Sequence, residues 1–254
     1  MTTGVLIFAF NNEQIDYVKM AQWSAKNIER HLGIPTQIIT KDDTIPEGSH
    51  TRKFDDLDDS VTWYNGNRVD AYSLSQFDKT IVLDADYVVA SDQLKCLLDL
   101  DQDFVAHKKA YDVTDHPNFD EHNYFGQYRM PMWWATVMMF RRSKQAELIF
   151  ESMQMIKNNW NHYKSLYQIG RTTYRNDFAL SIALGIVNGH TLNHPAIPWN
   201  LATVTHDQKL TQLGPDHYRV DFISQDKKPK WIQLHQDFHA MGKGQLGEII
   251  DSNS

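Results

Sequence analysis

Apolar residues along the chain fall into two alternating periods. Val5 to Phe10 is an unbroken apolar run, the pattern of a strand buried on both faces of a parallel sheet, and Asn11-Asn12 interrupts it. From Glu13 to Leu32 the residues Ile15, Val18, Ala21, Ala25, Ile28 and Leu32 recur at helical spacing, and Gly33 and Pro35 close the segment. Thr36 to Thr40 reads as a second strand. Lys41 to Ser60 has no period and many turn formers, which predicts a surface loop. A helix over Asn67 to Gln76 then leads into the β-branched strand Thr80-Ile81-Val82-Leu83.

Downstream, the pattern predicts a helix over Asp92 to Leu98, a strand over Phe104 to His107 and a long polar and aromatic loop from Lys109 to Pro131. A strand over Trp134 to Phe140 follows, with helices over Lys144 to Trp160 and Asn176 to Val187. Strands alternating with helices predict an α/β fold with a mostly parallel sheet flanked by helices. The 254 residues suffice for a single domain of this kind.

The strand at Thr80 delivers Asp84-Ala85-Asp86 at its carboxyl end, where open α/β sheets bind their ligands. Two carboxylates one residue apart on a straight strand point to the same side and can share one cation. Hard oxygen ligands suit Mg²⁺ or Mn²⁺. A second acidic run, Asp55-Asp56-Leu57-Asp58-Asp59, reads either as a metal site or as a solvated face or helix start.

A net charge of −7 argues against a protein that coats nucleic acid. The single cysteine, Cys96, leaves no internal disulfide framework and fits a reducing compartment, so the cytoplasm is the expected location. No signal peptide or membrane span is expected from the apolar runs. Gly242-Lys243-Gly244 lacks the flanking residues of a phosphate-binding P-loop.

The segment Phe77-Asp78-Lys79-Thr80-Ile81-Val82-Leu83-Asp84-Ala85-Asp86 resembles the motif-bearing strand of family 8 and related GT-A glycosyltransferases, whose fold is a Rossmann-like α/β sheet. The resemblance implies that Asp84 and Asp86 hold Mn²⁺ (or Mg²⁺) with the diphosphate of a UDP-sugar. Leu234-His235-Gln236-Asp237-Phe238-His239-Ala240-Met241-Gly242-Lys243 is similar to the closing His-x-x-Gly segment of that family. It implies a third metal ligand, His239 with His235 as competitor, and a diphosphate contact from Gly242 and Lys243, although Lys243 directly follows the glycine and no Pro-Trp comes after it. Phe8-Ala9-Phe10-Asn11 with Tyr17 looks like the place of the base and ribose, where Phe10 stacks on the base or belongs to the core. Arg68 is expected either to reach the nucleotide phosphates or to be an exposed helical arginine.

Arg175-Asn176-Asp177-Phe178-Ala179-Leu180 resembles the acidic helix start that touches the donor sugar, and Asp177 near a helix N-terminus also fits capping. Trp133 and Trp134 stand where the family has an Asn-Ala-Gly strand, and either stack on a sugar or fill the core. What the resemblance implies is one GT-A domain over 1–254, with a nucleotide-binding part over about 1–108 and an acceptor side over about 109–245. Its reaction is transfer of a hexose, glucose or galactose, from UDP to an acceptor hydroxyl of a glycan, lipid, protein or small molecule, with retention. Asp177 and Lys243 are the candidate catalytic residues. The competing readings are a nucleotide-sugar or glycan-binding module without turnover and a nucleotidyltransferase, though the latter needs a glycine-rich basic loop that Phe10-Asn11-Asn12-Glu13 does not supply.

Overall fold

The computed structural model describes residues 2–41, 51–53, 64–116, 119–170, 173–191 and 193–252. The N-terminal apolar run forms strand β1 (Thr3–Phe8). Helix α1 (Tyr17–Leu32) starts four residues later than Glu13, because the Asp16 carboxylate accepts the Lys19 N–H at 2.9 Å and caps the helix there. It ends on Gly33, whose φ of +67° is the left-handed turn that glycine adopts without strain. Strands β2 (Thr36–Thr40) and β3 (Thr51–Lys53) follow. The acidic run Asp55 to Asp59 lies outside the described residues.

The helix expected over Asn67 to Gln76 is a 3-10 turn over Tyr64–Asp70 running into the short α2 (Ala71–Leu74). Strand β4 (Lys79–Leu83), β5 (Tyr87–Val88) and α3 (Lys95–Leu98) come next, so the helix expected from Asp92 is only its last turn. After β6 (Phe104–His107), the expected loop carries β7 (Ala110–Asp112), a 3-10 turn over Phe119–Asn123, β8 (Tyr124–Phe125) and β9 (Met130–Pro131). Strand β10 (Trp134–Arg141) precedes α4 (Lys144–Asn158), α5 (Trp160–Leu166) and α6 (Asn176–Val187). The helix expected to Trp160 breaks at Asn159, which ends α4 and begins α5. The C-terminal part adds β11 (Leu201–Val204), β12 (Lys209–Gly214), β13 (His217–Ile223), β14 (Pro229–Leu234), β15 (Phe238–Ala240) and α7 (Lys243–Ser252).

The central sheet has the order β3-β2-β1-β4-β10-β6. Its β3-β2-β1-β4 half is parallel, as the continuous apolar runs predict, and every residue of β4 is buried. Strand β10 is inserted antiparallel to both β4 and β6. The fold is therefore α/β with a mostly parallel sheet, and the buried apolar side chains from Val5 to Ile250 form one continuous core.

A second sheet, β5-β15-β11-β7, gathers short strands from distant parts of the chain. Within it β15 pairs with β5, His239 opposite Tyr87, which brings the C-terminal segment onto the turn after β4. Strands β12 to β14 form a separate antiparallel sheet. No helix among the described residues is long and apolar enough to cross a membrane.

Candidate functional site

Strand β4 stops at Leu83 and the chain turns sharply. The Tyr87 N–H donates to the Asp84 carbonyl at 3.0 Å, and the Asp84 N–H donates to the Thr136 carbonyl of β10 at 3.0 Å. Asp84 and Asp86 thus converge through a turn, not through strand alternation as expected. Sheet pairing supplies the third group: the Ala240 N–H donates to the Asp86 carbonyl at 3.0 Å, fixing His239 beside the turn. Ligand atoms of Asp84, Asp86 and His239 all lie within 4.8 Å of one another. His235 is exposed, packs its ring 4.3 Å from that of His217, and takes no part in this group.

His239 Nε2 approaches Asp86 Oδ1 at 3.4 Å, and Lys243 Nζ, at the start of α7, approaches the other carboxylate oxygen at 3.4 Å. Burial alone raises the Asp86 carboxyl, but His239 and Lys243 overcome it and hold the group well below the usual carboxylate range. Asp86 in turn raises the Lys243 ammonium against the pull of burial. That ammonium also sits 5.5 Å from the centroid of the Tyr17 ring. Two carboxylates and an imidazole fit a divalent cation of the Mn²⁺ or Mg²⁺ type. Among the described residues, the remaining nitrogen of His239, Nδ1, is buried with no hydrogen-bond partner, so the ring lacks there the supporting acceptor that metal-bound histidines usually have.

Arg68 is buried, with 4% of its side chain exposed, and is ion-paired with Asp84. Its Nη1 donates to the Ala135 carbonyl at 2.8 Å. Burial lowers the guanidinium's pKa, opposed by the nearby carboxylates of Asp177 and Asp86. Of the two expectations for this residue, the exposed arginine is excluded. Asp177, in the first turn of α6, accepts the Ala135 N–H at 2.9 Å and the Arg175 guanidinium at 2.6 Å. Burial raises its carboxyl, and Arg175, the Ala135 amide and Arg68 more than offset this, leaving it lowered. The N-cap of α6 is Arg175, so Asp177 braces β10 and does not cap its own helix.

These groups line one cavity of about 360 Å³, together with Phe8, Tyr17, Ala85, Trp134, Thr136, Tyr174 and Met241. The volume is in the range of small-molecule sites. Three carboxylates, Asp84, Asp86 and Asp177, face three cations, Arg68, Arg175 and Lys243. Phe8, Tyr17, Arg68, Asp84, Ala85, Asp86, Asp177, His239 and Lys243 are thus brought together. Ala9 and Phe10 are buried and do not line the cavity; Phe10 packs on Phe8 at 6.5 Å between ring centroids. Asn11 accepts the Val18 N–H at 2.9 Å and helps to start α1. Gly242 lies outside the lining and accepts the Leu246 N–H at 3.2 Å at the start of α7.

Thr173 and Tyr174 also line the cavity, without any signal in the sequence that announces them. Arg175 has one: a guanidinium two residues before an acidic helix start. Trp134 lines the cavity while Trp133, also buried, packs against His194, which divides the two expectations for that pair.

No family model matches the sequence, and no curated protein matches it. Among solved structures, the chain is similar to the apo-form glycosyltransferase GlyE of Streptococcus pneumoniae TIGR4, at 13% identity and a TM-score of 0.45 over 72% of this chain and 43% of that one. It is also similar to the galactosyltransferase LgtC in complex with donor and acceptor sugar analogs, at 16% identity and a TM-score of 0.48 over 72% of this chain and 70% of that one. The chain spans less than half of the GlyE chain.

Proposed function

We propose that the chain is a metal-dependent glycosyltransferase that transfers a hexose, glucose or galactose, from a UDP-sugar to an acceptor hydroxyl. The observation that carries this reading is the convergence of Asp84, Asp86 and His239 at the carboxyl end of β4, with Lys243 beside them. A cation held by that set supplies charge neutralisation for the donor diphosphate.

The chain's own residues do the rest. Lys243 places a fixed positive charge against the leaving diphosphate, and in a cavity of low dielectric that charge acts more strongly than in water. Phe8, Tyr17 and Trp134 offer apolar and aromatic surface to the nucleoside and the sugar ring. Asp177 stays ionised and accepts hydrogen bonds from sugar hydroxyls, held in place by Arg175 and the β10 backbone. Arg68 fixes the orientation of Asp84. In the reaction the bond between the anomeric carbon and the diphosphate oxygen breaks, a bond from the acceptor oxygen forms, and the acceptor proton leaves with the diphosphate. We take the transfer to proceed with retention: among the described residues, the carboxylate that lines the cavity outside the metal set, Asp177, is already engaged by Arg175 and the Ala135 N–H.

The test is UDP release from a panel of UDP-sugars, with Mn²⁺ and then with a chelator. Release from one donor that depends on the metal supports the proposal. A UDP-sugar that binds with metal but is never turned over, even with excess acceptors, points to a binding module instead.

A further inference from the structure

We propose that a second cavity, adjoining the first, is the acceptor subsite and takes a single neutral pyranose ring, the terminal sugar of a glycan or glycoside; its acceptor role rests on the glycosyltransferase reading above. The cavity measures about 250 Å³ and is lined by the 3-10 turn before β8, by β8 itself, by residues 169–170 and by the start of α6. Arg175 lines both cavities, so the two spaces meet across one side chain that is itself anchored on Asp177. In this arrangement the acceptor and the donor would lie on either side of that guanidinium.

The walls are built, not loose. Gly126 has a φ of +66°, and a Cβ placed there runs into the Tyr167 carbonyl, so the segment after β8 lies tightly on residues 167–168. The Gln127 N–H donates to the Gln168 carbonyl at 3.3 Å, and Gln168 Nε2 donates to the Tyr128 hydroxyl at 3.1 Å. Arg129 donates to Glu121 at 2.6 Å and lies 4.6 Å from the centroid of the Tyr124 ring, which steadies both at the rim.

The chemistry of the lining selects the occupant. Phe125, Met132 and Phe178 are buried and supply an apolar floor. Tyr124, 38% exposed, adds an aromatic ring, while Glu121 and Arg175 add an acceptor and donors of hydrogen bonds. A pyranose has the matching division, an apolar C–H face and a rim of hydroxyls. An alkyl chain would offer nothing to the hydrogen-bonding atoms of Glu121 and Arg175 that their ion pairs leave over, and would partly desolvate them. Among the described lining residues, Glu121 is already paired with Arg129 and Arg175 with Asp177, which suits a neutral ligand better than an ionic one. The volume lies just under the ~300 Å³ at which drug-sized sites begin, which suits one sugar ring.

The test is ligand-observed saturation-transfer NMR on the full chain with methyl glucoside, methyl galactoside, maltose and lactose, with and without UDP and Mn²⁺. At least one sugar is expected to bind, and Tyr124→Ala and Glu121→Gln are each expected to weaken it about fivefold or more. UDP affinity, titrated separately, should stay within about twofold in both variants, which also shows that they are folded. Absence of sugar binding in both conditions, or undiminished binding by Tyr124→Ala, overturns the proposal. So does octyl glucoside binding about tenfold tighter than methyl glucoside, because the site would then be taking an alkyl chain. Failure of the wild-type chain to bind UDP is a different result, and it removes the glycosyltransferase reading and with it the acceptor role, leaving a sugar site.

Discussion

Arg68→Met is the substitution from which the structure yields the most definite number. The arginine is 4% exposed and pairs with Asp84, whose side chain is 14% exposed, while Asp86 and Asp177 lie close enough to act on the same guanidinium. Removing the cation leaves Asp84 without its ion-pair partner beside an apolar side chain, while Asp86 keeps His239 and Lys243 and Asp177 keeps Arg175. Breaking one partner of a buried ion pair costs about 3–5 kcal/mol, and because Asp84 opens onto a cavity the cost is shifted down, to about 2–4 kcal/mol. For a chain of this length each kcal/mol moves Tm by about 2–4 °C, so a fall of about 4–16 °C is expected. Urea unfolding should show the midpoint falling with the slope unchanged, since the buried surface is the same. Saturating Mn²⁺ should restore more stability to the variant than to the wild type, up to about 2.7 kcal/mol at a hundredfold excess over the dissociation constant. A loss below about 0.5 kcal/mol would refute the claim that Arg68 neutralises the carboxylate cluster.

His239→Ala should weaken Mn²⁺ binding, measured by calorimetry, by about tenfold or more, whereas His235→Ala should leave it unchanged; the reverse order would move the metal ligand to the exposed histidine. Gly126→Ala should destabilise the fold by about 1–3 kcal/mol in chemical denaturation, from the positive φ and the collision with the Tyr167 carbonyl, and a neutral result would mean that the segment relaxes freely. Asp237 is pushed up to about 6 by burial, against the hydrogen bonds from Ser91 and the Ala90 N–H. Its folded pKa is above its ordinary value of 3.8, so the stability it contributes is fully present below about pH 4 and is lost as pH rises through about 6. The change amounts to about 3 kcal/mol. Asp237→Asn keeps an oxygen to accept both hydrogen bonds and should flatten that part of the profile; identical profiles for the two proteins between pH 4 and 7.5 would contradict the assignment.

The central half of the fold is legible because it is driven by periodicity. The apolar runs of β1 and β4, and the helical spacing of α1 and α6, give their elements directly, and the place of Asp84 and Asp86 follows from the end of β4. What the sequence hides is everything made by long-range pairing. The two-residue β5 and three-residue β15 carry too little pattern to read, yet their register is what sets His239 beside Asp86 across more than 150 residues of chain. The reversed direction of β10 is hidden for a similar reason, since a strand buried on both faces looks the same either way along the chain. Arg68 is misleading on its own because nothing in Asn67-Arg68-Val69 shows that the helix there tightens to 3-10 and turns the side chain inward onto Asp84. Phe10 and Asn11, which the resemblance places in the nucleotide site, serve the core and the start of α1.

A crystal structure grown with UDP and MnCl₂, with anomalous diffraction collected at the manganese edge, tests the metal site directly. A single strong peak is expected, bounded by the carboxylates of Asp84 and Asp86 and an imidazole nitrogen of His239, with the diphosphate against Lys243. A peak elsewhere, or ordered UDP with no metal at those three side chains, would contradict it.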